Sequence, residues 1–212
     1  IITEMEINPF VFDEDGRAAA LDTVVKFAPR ERPLVRDTAR PKARDLKGLF
    51  DPERIAIVGS GRTAAALHDR LAGNPNVKGV QLIQGEADEF DPETDLVIIA
   101  KRREKTGALL EQIIEKKLTA RNKALSVIII TGGFAESQTG TGPQESLERA
   151  IAKARKYEEE GLLELNLVGP NSLGVYTGKK GYEALFVPPS KIDLSAISKR
   201  EGRRMAVISQ SG

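Results

Sequence analysis

Two glycines, Gly59 and Gly61, with Ala64 three residues on, stand inside "IAIVGSGRTAAALHDRL", residues 55–71. The spacing is G-x-G-x-x-G/A. The first glycine allows a tight turn, the second lets the backbone approach a phosphate, and the following helix offers free N–H groups and the positive end of its dipole. Arg62 and Thr63 add a charge and a hydroxyl where that phosphate would lie. The same spacing also serves a plain strand-to-helix turn, so a ligand has to be argued from other residues as well. His68, the only histidine, falls one turn into the helix and reads as a partly exposed helix residue rather than a catalyst.

Three further stretches carry residues of the right types. "KRREKTG", residues 101–107, opens with Lys101, Arg102 and Arg103, a run that is either a solvated loop or an anion-binding rim. "GGFAESQTGTG", residues 132–142, is longer than the roughly 2–6 residues of most connections between a strand and a helix. Its Gly132 and Gly133 form a turn, and Phe134 is either a wall for a flat or apolar ligand or a satellite core contact. "GPNSLGVYTG", residues 169–178, combines Gly169, which allows close approach, Pro170, which fixes the backbone, and Asn171, which tolerates left-handed dihedrals.

Each of these stretches follows an apolar run of strand type: "RIAIVGS", "DLVIIA", "SVIIIT" and "ELNLVG". "GVQLIQG" and "RMAVIS" are two more. Between them the 3.6-residue period marks helices at residues 63–72, 106–118 and 143–160, the last with Pro143 in its first turn. Continuous apolar strands separated by helices are buried on both faces, which predicts an α/β, doubly wound, mainly parallel sheet. In such a sheet ligands bind at the carboxyl ends of the strands, where all four stretches lie. Ahead of it, "EMEINPFVF" and "RAAALDTVVKF" flank "DEDG" and predict an N-terminal β-hairpin over residues 1–27. Residues 28–48 hold three prolines and seven basic against three acidic residues with no apolar period, the composition of an extended linker. The sheet domain is then expected over residues 49–212.

The 212 residues suit one domain plus a fragment of another, and 40% hydrophobic content is ordinary for a globular chain. A net charge of +1 selects neither nucleic acid nor membrane as partner, and the absence of cysteine removes disulfides and thiolate chemistry. No apolar run approaches the ~20 residues of a membrane span, and the acidic first residues do not read as a secretory signal. A cytoplasmic setting is the expectation. The missing initiator Met and the ending "SQSG" suggest a piece of something longer.

Taken together, "GSGRT", "IITGGFAESQTGTG", "LVGPNSLGVY" and "VISQSG" resemble the CoA-binding domain of NDP-forming acyl-CoA synthetases, which include ADP-forming acetate–CoA ligases and are related to the succinyl-CoA synthetase α subunit. The likeness runs from about Leu49 to Gly212. It implies a Rossmann-like fold that binds CoA, with Gly59, Ser60, Gly61, Arg62, Thr63, Lys101, Arg102, Arg103, Gly132, Gly133, Phe134, Gly169, Pro170 and Asn171 around the ligand. The hairpin resembles the last strands of the family's ATP-grasp domain. By that likeness Asn8 and Asp22 would hold Mg²⁺ for ATP or ADP, oxygen ligands of a kind that suits the ion. The phosphohistidine of the family is expected in a later domain, so this chain alone is expected to be inactive. The other domains or subunits of the same ligase would be its partners, and an oligomer is compatible with this. Family members often carry a small or apolar residue with Pro where this chain has "AKRRE".

Two other readings remain. An NAD(P)-dependent oxidoreductase would need a ribose-binding acid about 20 residues past the glycines, and Glu86 stands near that place. That reading gives no role to "GFAE" and "GPN". A ligand-sensing or assembly module could also keep the fold without catalysis.

Overall fold

A computed structural model describes residues 2–7, 10–12, 18–20, 23–27, 43–85, 89–134, 141–177 and 182–187. The chain divides into two compact units, Ile1–Lys42 and Ala43–Gly212. In the first, β1 (Ile2–Ile7) pairs antiparallel with β4 (Thr23–Phe27), from Ile2↔Phe27 to Ile7↔Thr23, and β2 (Phe10–Phe12) pairs with β3 (Ala18–Ala20). The expected hairpin is therefore present as two nested ladders. Its turn lies outside the described residues, as do Asn8, Asp22 and the strand expected from "RMAVIS".

The second unit is built on five strands in the order β6-β5-β7-β8-β9, every neighbouring pair parallel. These are β5 (Arg54–Gly59), β6 (Gly79–Ile83), β7 (Leu96–Ala100), β8 (Ala124–Ile129) and β9 (Glu164–Val168). β5, β7 and β8 are buried almost end to end, as apolar runs covered on both faces must be. α3 (Arg103–Lys117) and α4 (Gly142–Glu159) cover one face, with Leu110, Ile113, Ile114, Leu147 and Ala150 in the core. α2 (Arg62–Ala72) covers the other with Ala64, Leu67 and Leu71. The architecture is the doubly wound, Rossmann-like α/β arrangement that the sequence pattern predicts.

α3 and α4 touch closely because Gly107 has no side chain: a Cβ there would stand 2.5 Å from Ser146. A second hairpin, β10 (Gly174–Thr177) with β11 (Tyr182–Leu185), was not expected from the sequence. It buries Tyr182 and Ala184 against the α2 face. Arg70 of α2 holds its end, donating to Glu183 and to the Leu185 and Val187 carbonyls.

Residues 43–46, near the end of the stretch expected as a linker, lie along the outer edge of β9. Arg44 donates to the Leu165 carbonyl (2.7 Å) and to Glu158 (2.9 Å), while the Leu165 N–H donates to Glu158 (2.9 Å). Asn166 Nδ2 donates to the Asp45 carbonyl at 2.8 Å. Edge groups of a sheet must find partners, and here side chains supply them. The short α1 (Lys47–Phe50) then buries Leu49. A cation-rich stretch without apolar period can thus satisfy an edge strand, a role composition does not reveal.

Candidate functional site

β5 has β6 on one side and β7 on the other, so the winding reverses beside it and the crevice opens above the carboxyl ends of β5 and β7. Gly59 and Ala100 are register partners there. A Cβ on Gly59 would lie 3.0 Å from the Ala100 Cβ and 3.3 Å from that of Ala64, so this glycine allows strand, neighbour and helix to close up. Gly61 does something different. Its φ of 88° and ψ of 179° fall where glycine is nearly the only residue found, and nothing lies within 4 Å of the position a Cβ would take. Ser60, Arg62 and Thr63 are exposed, and no side chain caps the start of α2. A turn with bare backbone N–H groups, a hydroxyl and a cation is thus open toward the crevice.

The cationic run separates into three roles. Lys101 Nζ donates to the Gln84 carbonyl at the end of β6. Arg102 is exposed and precedes α3. Arg103 is the first residue of α3, which starts three residues before the helix expected from residue 106. Its Nη1 donates to the Gly133 carbonyl at 2.5 Å and its Nε to Glu104 at 2.9 Å, which holds the Glu104 carboxyl below the usual range. The helix was read late because no Ser, Thr, Asp or Asn stands at its N-cap; Arg102 occupies that position.

The ends of β7, β8 and β9 are tied to each other. Thr131 Oγ1 donates to the Lys101 carbonyl at 2.5 Å, and the Thr131 carbonyl accepts the Asn171 N–H at 2.9 Å. The Ser172 N–H reaches the Ile129 carbonyl at 3.2 Å. Asn171 (φ 56°) takes the left-handed conformation expected of it, and Gly169 is also at positive φ (101°), with a cis peptide between Gly169 and Pro170. Gly132 lies under the Asn171 side chain, where a Cβ would be 2.8 Å from Oδ1. Phe134 is 2% exposed and belongs to the core beneath α3 and α4, which is the packing alternative and not a ligand wall. A large apolar ring after a glycine turn finds the nearest apolar volume, and here that is the interior.

Two cavities flank the crevice. One, of about 350 Å³, lies between the end of β6 and α3 and is lined by Gln84, Gly85, Lys101, Glu104, Lys105 and Gln112 among others. The second, about 490 Å³ and mainly apolar, runs from Arg62 and Thr63 along α2 to Leu185 and Phe186. Sequence reasoning passed over Gln84, Lys105 and Thr131. A threonine ending a β-branched strand looks like any strand residue, and the two others become visible only when β6 and β7 are set on either side of β5.

His68 lies on α2 with its side chain 30% exposed and Nδ1 3.0 Å from Asp69, as a helix-surface residue. Glu86 lies outside the described residues. Among the described residues no cluster of three or more His, Cys, Asp or Glu side chains is placed to hold a metal ion, and no helix is long and apolar enough to cross a membrane.

No family model matches the chain. Over 201 residues it is 24% identical to the ADP-forming acetate–CoA ligase II of Archaeoglobus fulgidus, an alignment covering 87% of this chain and 27% of that enzyme. The chain therefore spans little more than a quarter of the length of this curated relative. Among solved structures it is similar to biliverdin reductase from Synechocystis sp. PCC 6803, a complex with biliverdin and NADP⁺, with a TM-score of 0.33 and 20% identity over 54% of this chain and 37% of that one. The chain is a Rossmann-like α/β protein with distant sequence similarity to a CoA ligase.

Proposed function

We propose that this chain is the CoA-binding segment of an NDP-forming acyl-CoA synthetase, which interconverts acyl-CoA, ADP and phosphate with a carboxylic acid, CoA and ATP. The observation that carries the reading is the gathering of "GSGRT", "KRR", "GG" and "GPN" on the carboxyl ends of four adjacent parallel strands, three of them tied together through Thr131. The similarity to an acetate–CoA ligase supports it. In this reading the diphosphate of CoA lies on the turn of Gly59, Ser60 and Gly61, with Arg62 and Thr63 beside it. The adenosine, with its 3′-phosphate, takes the cavity of Gln84, Gly85, Lys101 and Lys105. Asn171 and the glycine turn at 132 and 133 border the path of the pantetheine arm. Asn8 and Asp22 would serve Mg²⁺ and the nucleotide in the whole enzyme, whose other domains or subunits are the partners.

Isothermal titration of this chain with CoA and, separately, with NAD and NADH tests the reading. CoA is expected to bind more tightly; tighter binding of either nicotinamide dinucleotide overturns it. Incubation with labelled ATP and Mg²⁺, and then with CoA and short acids, is expected to leave His68 unlabelled and to form no acyl-CoA.

A further inference from the structure

A run of three cations at a ligand-binding edge invites the view that all three bind the ligand's phosphates. The geometry divides them. The guanidinium of Arg103 is engaged by the protein itself, with Nη1 on the Gly133 carbonyl and Nε on Glu104. Its stem also lies against the turn: a Cβ on Gly133 would be 3.5 Å from Nη1 and 3.6 Å from Cδ. On the other side of the same turn, Gly132 lies against the Asn171 side chain. The turn is thus wedged between Arg103, from the end of β7, and Asn171, from the end of β9. Gly133 stands at φ 84°, which glycine populates about as readily as negative φ, so its own backbone preference does not hold the turn in one form.

We propose that Arg103 is a positioning residue. It fixes the turn at Gly132 and Gly133 against Asn171, so that the backbone of that turn presents one shape to the ligand, and the anionic charge of the ligand falls to Lys101 and Arg102. The proposal rests on the CoA-binding reading for the identity of the ligand, whereas the brace itself does not depend on it. A planar fork is suited to the task because it can serve a carbonyl and a carboxylate at once, which an ammonium cannot do in the same geometry.

The test separates charge from position by salt dependence. CoA affinity of the wild-type chain, Arg102→Gln and Arg103→Gln is measured at about 0.01 M and about 0.1 M salt, between which the screening length falls from about 30 Å to about 10 Å. A cation that contacts phosphate contributes to the salt dependence; a brace does not. Arg102→Gln is expected to bind more weakly with a smaller drop between the two salts. Arg103→Gln is expected to bind several-fold more weakly with the drop unchanged. Hydrogen exchange of the amides of residues 131–134, read without ligand, is expected to speed up in Arg103→Gln and not in Arg102→Gln. Should Arg103→Gln fail to fold, Arg103→Lys carries the same measurements, keeping the charge and losing the fork. A flattened salt dependence in the Arg103 variants, full affinity in Arg103→Lys, or unchanged exchange at 131–134 overturns the proposal. If the wild-type chain does not bind CoA, the functional reading fails, and the exchange measurement still decides whether the brace exists.

Discussion

The Thr131 hydroxyl and the Lys101 carbonyl are 2.5 Å apart, joining the second residue after β8 to the first residue after β7. Because the Thr131 carbonyl also accepts from Asn171, one residue ties three strand ends into a row. Thr131→Val keeps the shape and removes the hydroxyl. The expected cost is that of one partly buried hydrogen bond, about 0.5–1.5 kcal/mol, read as a lowered urea midpoint at unchanged m-value. CoA affinity is expected to fall with it; a variant with unaltered stability and affinity would show that the tie is idle.

Gly61 stands at positive φ with open space around it. A side chain there meets no neighbour, so the effect of Gly61→Val comes from backbone strain and from obstruction of the ligand. The strain should cost about 1–3 kcal/mol. The obstruction should abolish CoA binding even where circular dichroism shows a folded protein. Normal binding by the folded variant would place the phosphates elsewhere.

Lys101 and Lys105 line the cavity assigned to the adenosine, and Arg102 is exposed beside it. Charge-assisted contacts to a phosphate are worth roughly 1.5–3 kcal/mol when well formed. Dephospho-CoA is therefore expected to bind at least tenfold more weakly than CoA, a gap that narrows in Lys101→Met. Equal affinities for the two coenzymes would mean that these cations serve another purpose.

At the opposite end of the sheet, Lys117 is buried and donates to the Pro92 and Thr94 carbonyls at 3.0 and 2.8 Å. Burial pulls its pKa down, partly offset by the carboxylates of Asp95, Glu93 and Asp91. A lysine that holds its proton less firmly folded than unfolded makes the unfolded chain the better proton binder. Its contribution to stability therefore rises as pH climbs through the lowered value toward about 10.4. Urea unfolding across alkaline pH should show this rise in the wild type and not in Lys117→Met. At neutral pH that variant leaves two carbonyls without their donor and should lose about 1–3 kcal/mol.

Most of the sheet was legible because its strands are long apolar runs with no other stable place to go. "IAIVG", "LVIIA" and "SVIII" are buried as written, and the glycine turn falls where its spacing puts it. What was misread depends on partners far away in sequence. Arg103 looked like the middle of a loop since its partner is a carbonyl 30 residues on. Phe134 could face ligand or core on type alone, and only the arrival of α3 and α4 over β8 decides for the core. The β10–β11 hairpin escaped notice because "GVYT" and "YEAL" are short and its register depends on the pair. Local pattern determines elements well; the pairing of a side chain with a distant carbonyl leaves no local trace.

The shielding of β9 by residues 43–46 bears on how the protein behaves when shortened. An uncovered strand edge is a template on which other chains add and precipitate. A chain beginning at Ala43 retains Arg44 and Asp45 over Leu165 and Asn166 and should stay dispersed in solution. A chain beginning at Leu46, only three residues shorter, would present the same sheet with that edge bare. Light scattering on the two truncations during gentle warming should show the shorter one clouding first. In practical handling, the solubility of the domain would turn on these few polar residues more than on anything in its core.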